Sequence, residues 1–384
     1  MNEPLDLSVV VRARLELEMR RIDAIEDLAL HGPSAELVDR ITGGRLKSMV
    51  ANQRARFAKH RPGREDFVKL ALLEESTSNV TREGMSLAMG ALARDAGLDH
   101  GACETADRFV RWLAGNGDVR VARMSVPGDA HAVHRSTDVI RRRVPDHGLW
   151  DLPVLAHEFG HLVVTGIASY DAENDSVGTP VDSALAGWDG AARGRATELF
   201  CDLFAGYALG PSYLCTLVFH RCDPTAPAAV GDLASHPSDA GRVHAVHTLL
   251  KRMTGSSDLH PFDAQLYWAA KAWAQMQLQA EEDARLSDTQ RAEVTSQVAG
   301  WWAVLSQDLS SFAYAWTPVV QRLVASIRSE QDPPSTHFSA ADVLNAAWTV
   351  RLGDWFGGRP ADIPYEQRAE ELLDAALDSE VQHE

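Results

Sequence analysis

The stretch Asp151-Leu152-Pro153-Val154-Leu155-Ala156-His157-Glu158-Phe159-Gly160-His161-Leu162-Val163 decides how the rest of the chain is read. Leu152, Leu155, Phe159, Leu162 and Val163 recur at helical spacing, Asp151 stands where an N-cap belongs, and Pro153 is tolerated in a first turn. The segment is therefore predicted as a helix. His157-Glu158-Phe159-Gly160-His161 becomes an HExxH motif on that helix. Positions i and i+4 share a face, so both imidazoles reach one zinc ion, while Glu158 can address a water on the metal. A chance HExxH is expected about four times in a hundred chains of this length, before any helix is required around it. The helical setting is what separates the motif from two surface histidines beside an incidental glutamate.

Two histidines do not complete a catalytic zinc site, which takes three protein ligands and keeps one position open. Downstream, Glu198-Leu199-Phe200-Cys201-Asp202 opens a second strong helix, predicted from Ala196 to about Leu209 and closed by Gly210-Pro211. Its two carboxylates stand among Leu199, Phe200, Leu203, Phe204 and Ala205, where burying a charge is costly unless it meets a cation or hydrogen-bond donors. Glu198 is assigned as the third ligand. Asp202 is assigned as the acceptor for the other N–H of a ligand histidine, which fixes its tautomer. The competing reading is an exposed ion-pairing edge.

Further out, the chain from Leu5 to about Leu113 reads as several packed helices, with apolar residues such as Leu15, Met19, Ile22 and Ile25 three and four apart and breaks such as His31-Gly32-Pro33. After Gly117, Val119, Val121, Met124 and Val126 form a short β-type run ended by Pro127-Gly128-Asp129, and a second candidate strand runs from Ala130 to about Val144. These predict a small antiparallel sheet. Ser169 to Arg195 reads as a polar, Gly-rich connection. Beyond Gly255 the text is helical and Trp-rich (Trp268, Trp273, Trp301, Trp302, Trp316), the tryptophans serving helix packing, and Asp332-Pro333-Pro334-Ser335 precedes a last pair, Ala340 to Leu352 and Pro364 to Leu377.

Composition sets the outer bounds. In 384 residues, 37 Lys+Arg against 54 Asp+Glu give a net charge of −17. That excess argues against a nucleic-acid partner, since phosphate binding draws on concentrated cations. The basic clusters Arg54–Arg64 and Arg141–Arg143 are read as solvated faces. Four cysteines (Cys103, Cys201, Cys215, Cys222) in no CxxC pair indicate buried reduced thiols. The longest apolar run near the N-terminus, Val9–Val11, is too short for a signal-peptide core, and no stretch approaches the roughly 18 apolar residues of a membrane span. A cytoplasmic protein without a membrane partner is expected.

Remaining histidines divide. His131 and His134 lie on an expected strand whose side chains alternate faces, so they read as surface residues. His244 and His247 share a helix face without an acidic partner. Tyr207 and Tyr213 follow the Glu198 helix closely enough to offer a phenolic donor to an oxyanion, or to serve packing. A last element is His236-Pro237 with Arg242 six residues after the histidine.

The set HExxH, ExxxD and HPx4R, in this order, resembles the gluzincin zinc peptidases of the CAAX-prenyl-protease and heat-shock membrane-protease type, including their soluble relatives. The resemblance spans Asp151 to Arg252, about a quarter of the chain. It implies that His236 stabilises an oxyanion and that Arg242 holds site carboxylates or substrate. The membrane members carry transmembrane helices that this chain lacks, so a prenylated or membrane-embedded substrate is not implied.

The combined expectation is a mainly α-helical α+β protein. Residues 1–115 form an N-terminal helical region, 116–255 a zinc metallopeptidase core whose sheet edge takes an extended peptide, and 256–384 a C-terminal helical region. His157, His161 and Glu198 hold zinc, Glu158 is the general base, and the substrate is a protein or peptide. Two rivals stand: a non-catalytic interaction protein braced by zinc, against which Glu158 argues, and a zinc hydrolase of a non-peptide bond. Oligomeric state is not legible.

Overall fold

The structure is a computed structural model, and it describes residues 7–31, 35–42, 44–59, 67–117, 125–128, 132–134, 139–143, 148–165, 180–229, 231, 234–255, 262–278, 280–329, 332–357 and 364–381. The chain divides into two compact units, Met1–Asp107 with Ala122–Pro145, and Arg108–Val121 with Asp146–Glu384.

The first unit is built on α1 (Leu7–Leu30), α2 (Ala35–Thr42), α3 (Arg45–Lys59), α4 (Phe67–Asp95) and the start of α5 (Ala102–Asn116). Ile22, Ile25, Val50, Phe57 and Val80 form one apolar cluster, and Val38, Ile41, Leu46, Leu87 and Ala91 form another that Val126 and Val139 join from the sheet. The sheet corrects the antiparallel expectation. Its strands are β1 (Val126–Gly128), β2 (Ala132–His134) and β3 (Val139–Arg143), in the order β1-β3-β2. β2 and β3 pair antiparallel, but β1 pairs β3 in parallel, Pro127 opposite Arg142. Pro127 has no N–H to give a second neighbour, which confines β1 to an edge, and β3, buried at Val139, Ile140 and Arg142, takes the centre. Arg141–Arg143 is therefore no solvated face, for Arg142 is 1% exposed and donates from Nη1 to the Ala102 carbonyl. Arg54 does lie at the surface, paired with Asp23 and Glu26. His131 lies outside the described residues.

The second unit is helical: α6 (Leu152–Thr165), α7 (Pro180–Ala184), α8 (Gly190–Leu209), α9 (Pro211–Thr216), α10 (Asp239–Thr254), α11 (Asp263–Leu278), α12 (Asp288–Asp308), α13 (Val319–Ser329), α14 (Ala340–Gly357) and α15 (Tyr365–Val381). Asp151 does not cap α6 but ends a 3-10 turn, Leu149–Asp151, that runs into it. α8 begins at Gly190, within the expected polar connection, of which residues 166–179 lie outside the described residues. From Ala196 to Leu209 every residue of α8 is buried, as expected of a helix apolar on all sides. Phe159 of α6 and Phe204 of α8 meet with ring centroids 5.9 Å apart, and Phe312 closes on both. All four cysteines are free and buried. Among the described residues no helix is long and apolar enough to cross a membrane.

Three local features aim the site. Gly160 lets α6 approach α8, because a Cβ there would stand 3.1 Å from Cys201 Cα and 3.3 Å from its Sγ. Gly210, at φ +66°, stops α8 with its N–H on Gly206 O and turns the chain back into α9. The buried Asn345 of α14 fastens that turn, accepting from Ser212 N at 3.0 Å and donating to Leu209 O at 2.8 Å.

Candidate metal centre

HExxH occupies the middle of α6, and its three polar side chains are buried in an otherwise apolar helix: His157 and Glu158 are each 6% exposed, His161 8%. One turn apart, the two imidazoles stand 5.1 Å between centroids. Facing them from α8 is Glu198, with Oε2 3.2 Å from His157 Nε2 and Oε1 3.5 Å from His161 Nε2. The three ligand atoms all lie within 4.8 Å of one another.

What these atoms need follows from the far side of His157. Its Nδ1 lies 2.8 Å from Asp202 Oδ1, and an ionised carboxylate only accepts, so Nδ1 carries the proton. In the neutral ring Nε2 then presents a lone pair to the Glu198 carboxylate. Two acceptors facing each other at that distance repel unless a cation or a proton stands between them. The proton version is visible in the ring's basicity: burial pulls His157 down, but the Asp202 charge and hydrogen bond, then Glu198 and Glu158, outweigh it and raise the pKa to about 9. Glu198, opposed by burial but facing three histidines, is held down at about 2. Two imidazole nitrogens and a carboxylate, buried and convergent, could hold a metal ion and fall short of the four ligands of a closed structural site.

Asp202 is fully buried and carries the most bonds in the cluster. Besides His157 it accepts from Tyr213 Oη at 2.5 Å and from Arg242 in a two-pronged clasp, Nε to Oδ2 at 2.7 Å and Nη2 to Oδ1 at 2.8 Å. Burial works against its charge, yet the guanidinium keeps its pKa far below the usual carboxylate range. Glu158 differs. Burial raises its pKa against the pull of His157, and it has no hydrogen-bond partner among the described residues.

His236 sits just before α10, with Nε2 3.6 Å from Glu198 Oε1, its side chain 63% exposed and Nδ1 3.0 Å from Ser235 Oγ. It lies at the solvent edge of the cluster. The two tyrosines separate: Tyr207 packs edge-on against Trp302, whereas Tyr213 is buried against Asp202, 3.3 Å from His157 Nδ1. Tyr213 thus stands behind His157 as a buried donor to Asp202, a place that neither expectation for it, an oxyanion donor or a packing residue, describes. The signal was the Gly210-Pro211 reversal, which returns α9 alongside α8. Sequence reading passed over Arg221, at the end of a π-helical turn Leu217–Arg221, whose charge opposes but does not overcome the rise that burial causes in the pKa of Glu158. Among the described residues this is the one cluster of three or more His, Cys, Asp or Glu suited to a metal.

Comparison with protein-family models, with curated proteins and with solved structures gives no match to this chain.

Proposed function

We propose that the chain is a zinc-dependent hydrolase of peptide bonds. One observation carries the reading: His157, His161 and Glu198 converge in a buried cluster of three donors, with the Glu158 carboxylate beside them making no side-chain hydrogen bond among the described residues. A structural site needs neither an open position nor an unpartnered carboxylate.

When bound, zinc supplies a Lewis acid that polarises a carbonyl and makes water a better nucleophile near neutral pH. Asp202 keeps the proton of His157 on Nδ1, so that Nε2 is available as a ligand, and Arg242 and Tyr213 keep Asp202 ionised and fixed. Glu158 accepts a proton from the attacking water and passes it to the leaving amine. Its raised pKa suits both halves of that shuttle. His236, at the edge of the cluster, donates to the oxyanion of the tetrahedral intermediate, a contribution typically worth a hundredfold or more in rate. The family resemblance of the HExxH, ExxxD and HPx4R set supports peptides as the substrate class.

The test compares wild type with Glu158→Gln, which preserves shape and removes the proton acceptor. Both should hold close to one zinc per chain by elemental analysis. On a complex proteome, only wild type should generate new N-termini, the variant being slower by about a thousandfold or more. Equal cleavage by the two, or none by zinc-loaded wild type, refutes the reading.

A further inference from the structure

α10 faces the metal cluster on one side and a separate cavity of about 340 Å³ on the other. Val243, His244 and His247 fall on one stripe of the helix and line that cavity, while Arg242 projects toward Asp202. Trp273 of α11 and Leu286 complete an apolar wall with Val243, and Arg291 from the first turn of α12 stands at the rim. Among the described residues no aspartate or glutamate lines this cavity, although acidic residues outnumber basic ones 54 to 37 in the chain.

Its polar lining among the described residues is Arg291, the one cation, with His244, His247 and Gln277, whose Nε2 is spent on the Ala284 carbonyl at 3.0 Å. Arg291 spends Nε on the Leu286 carbonyl at 3.3 Å, and neither Nη group meets a carboxylate among the described residues. His244 lies 3.3 Å from Thr295 Oγ1, but His247 has no hydrogen-bond partner among the described residues. The size is at the small end for ligand sites, which run from roughly 300 to 1,000 Å³. One cationic end and one apolar wall call for a ligand with the complementary division.

We propose that this cavity binds a small monocarboxylate with an apolar tail, the carboxylate on Arg291 and the His247 N–H, the tail against Trp273, Val243 and Leu286. A lipid of full length is too large. A dicarboxylate lacks a second cationic partner. The site is independent of the metal cluster and of any hydrolytic activity.

Calorimetry on the full chain tests this with octanoate as the probe and octanamide as its uncharged match. Octanoate should bind with Kd below about 1 mM. Octanamide should bind roughly tenfold or more weakly, because the charge-assisted bonds to Arg291 are lost. Arg291→Gln, at the exposed rim, should bring octanoate down to the octanamide level without changing the unfolding temperature. Ala270→Phe, which fills the cavity, should abolish binding of both. Absent octanoate binding by wild type, equal affinity for the two probes, or undiminished octanoate affinity in Arg291→Gln overturns the proposal, and the last comparison decides even if Ala270→Phe fails to fold.

Discussion

Arg242→Ala gives the sharpest test of how the cluster is held together. The substitution removes both prongs of the clasp on Asp202, at 2.7 and 2.8 Å, and leaves a carboxylate with no solvent exposure facing only Tyr213 and His157. Breaking a buried pair from one side costs about 3–5 kcal/mol, because the remaining charge is buried without its counter-ion. For a cooperative unit of this size that corresponds to a fall in Tm of roughly 6–20 °C. Asp202→Ala should cost a similar amount by orphaning Arg242, whose side chain is 15% exposed. The double variant removes both charges and should be less destabilised than the sum of the two by about 2 kcal/mol or more. Urea unfolding of the four proteins in chelator reads this coupling with no metal contribution. In zinc-buffered solution each single variant should bind zinc about ten- to a hundredfold more weakly, since the His157 ring loses its fixed orientation. Additivity of the two substitutions within about 0.5 kcal/mol would refute the clasp as a stabilising pair.

Glu198→Ala removes the α8 ligand and should release most of the zinc from purified protein by elemental analysis, whereas retained stoichiometry moves the third ligand elsewhere. His157 predicts a proton count: with its folded pKa raised to about 9, the metal-free protein carries a proton on the ring at pH 7 that zinc must displace, so calorimetry in buffers of different ionisation enthalpy should show about one proton released, and zero would discard the assignment. The same shift fixes a sign without metal. Stability contributed by His157 is fully present below the unfolded pKa near 6.5 and lost as pH rises through about 9, so chelated protein should unfold more easily at pH 9.5 than at pH 6, by the same urea assay. Gly160→Val should widen the approach of α6 to α8, where even a Cβ stands 3.1 Å from Cys201 Cα, and lower zinc affinity by about tenfold or more, since the ligands span both helices.

The helices that carry His157, His161 and Glu198 were legible because their signals are local. HExxH and ExxxD each lie within one turn and a half, and a helix apolar on every side, such as Ala196–Leu209, announces its own burial. The resemblance implied that Arg242 holds site carboxylates or substrate, but its two-pronged clasp on Asp202 and the third donor, Tyr213, were not legible. Both depend on how α9 and α10 return to α8, a non-local matter set by Gly210 and by the Asn345 bonds to Leu209 and Ser212, 133 or more residues away in sequence. The sheet was misread for a related reason. Two runs were read where three strands stand, the single candidate from Ala130 to about Val144 being divided between β2 and β3, and strand order follows from which strand tolerates two neighbours, of which the sign was Pro127. Arg142 misled outright, because a buried arginine in a basic triplet looks the same in sequence as a solvated one.

Three buried carboxylates within the reach of one histidine pose an electrostatic problem, and the way each is neutralised assigns its role. Asp202 has a permanent cation, Arg242, so it stays ionised and serves as a fixed acceptor for His157. Glu198 faces three imidazoles and no arginine or lysine within ion-pairing distance among the described residues, so its counter-charge is a proton on His157 or, under the proposed function, the metal ion that replaces it. Glu158 makes no ion pair or side-chain hydrogen bond among the described residues, and burial lifts its pKa against the more distant charges of His157, Arg221 and Arg242, where the other two are depressed. Titratable groups pushed apart by their surroundings mark distinct chemical tasks. The order of the three follows from geometry: on α8 one turn separates Glu198 from Asp202, and on α6 His157 and Glu158 are adjacent, so under the proposed function the metal ligand and the proton acceptor stand side by side. Exchanging the surroundings, by giving Glu158 a permanent cation of its own, would lower its pKa and remove it from the range in which it can both accept and return a proton.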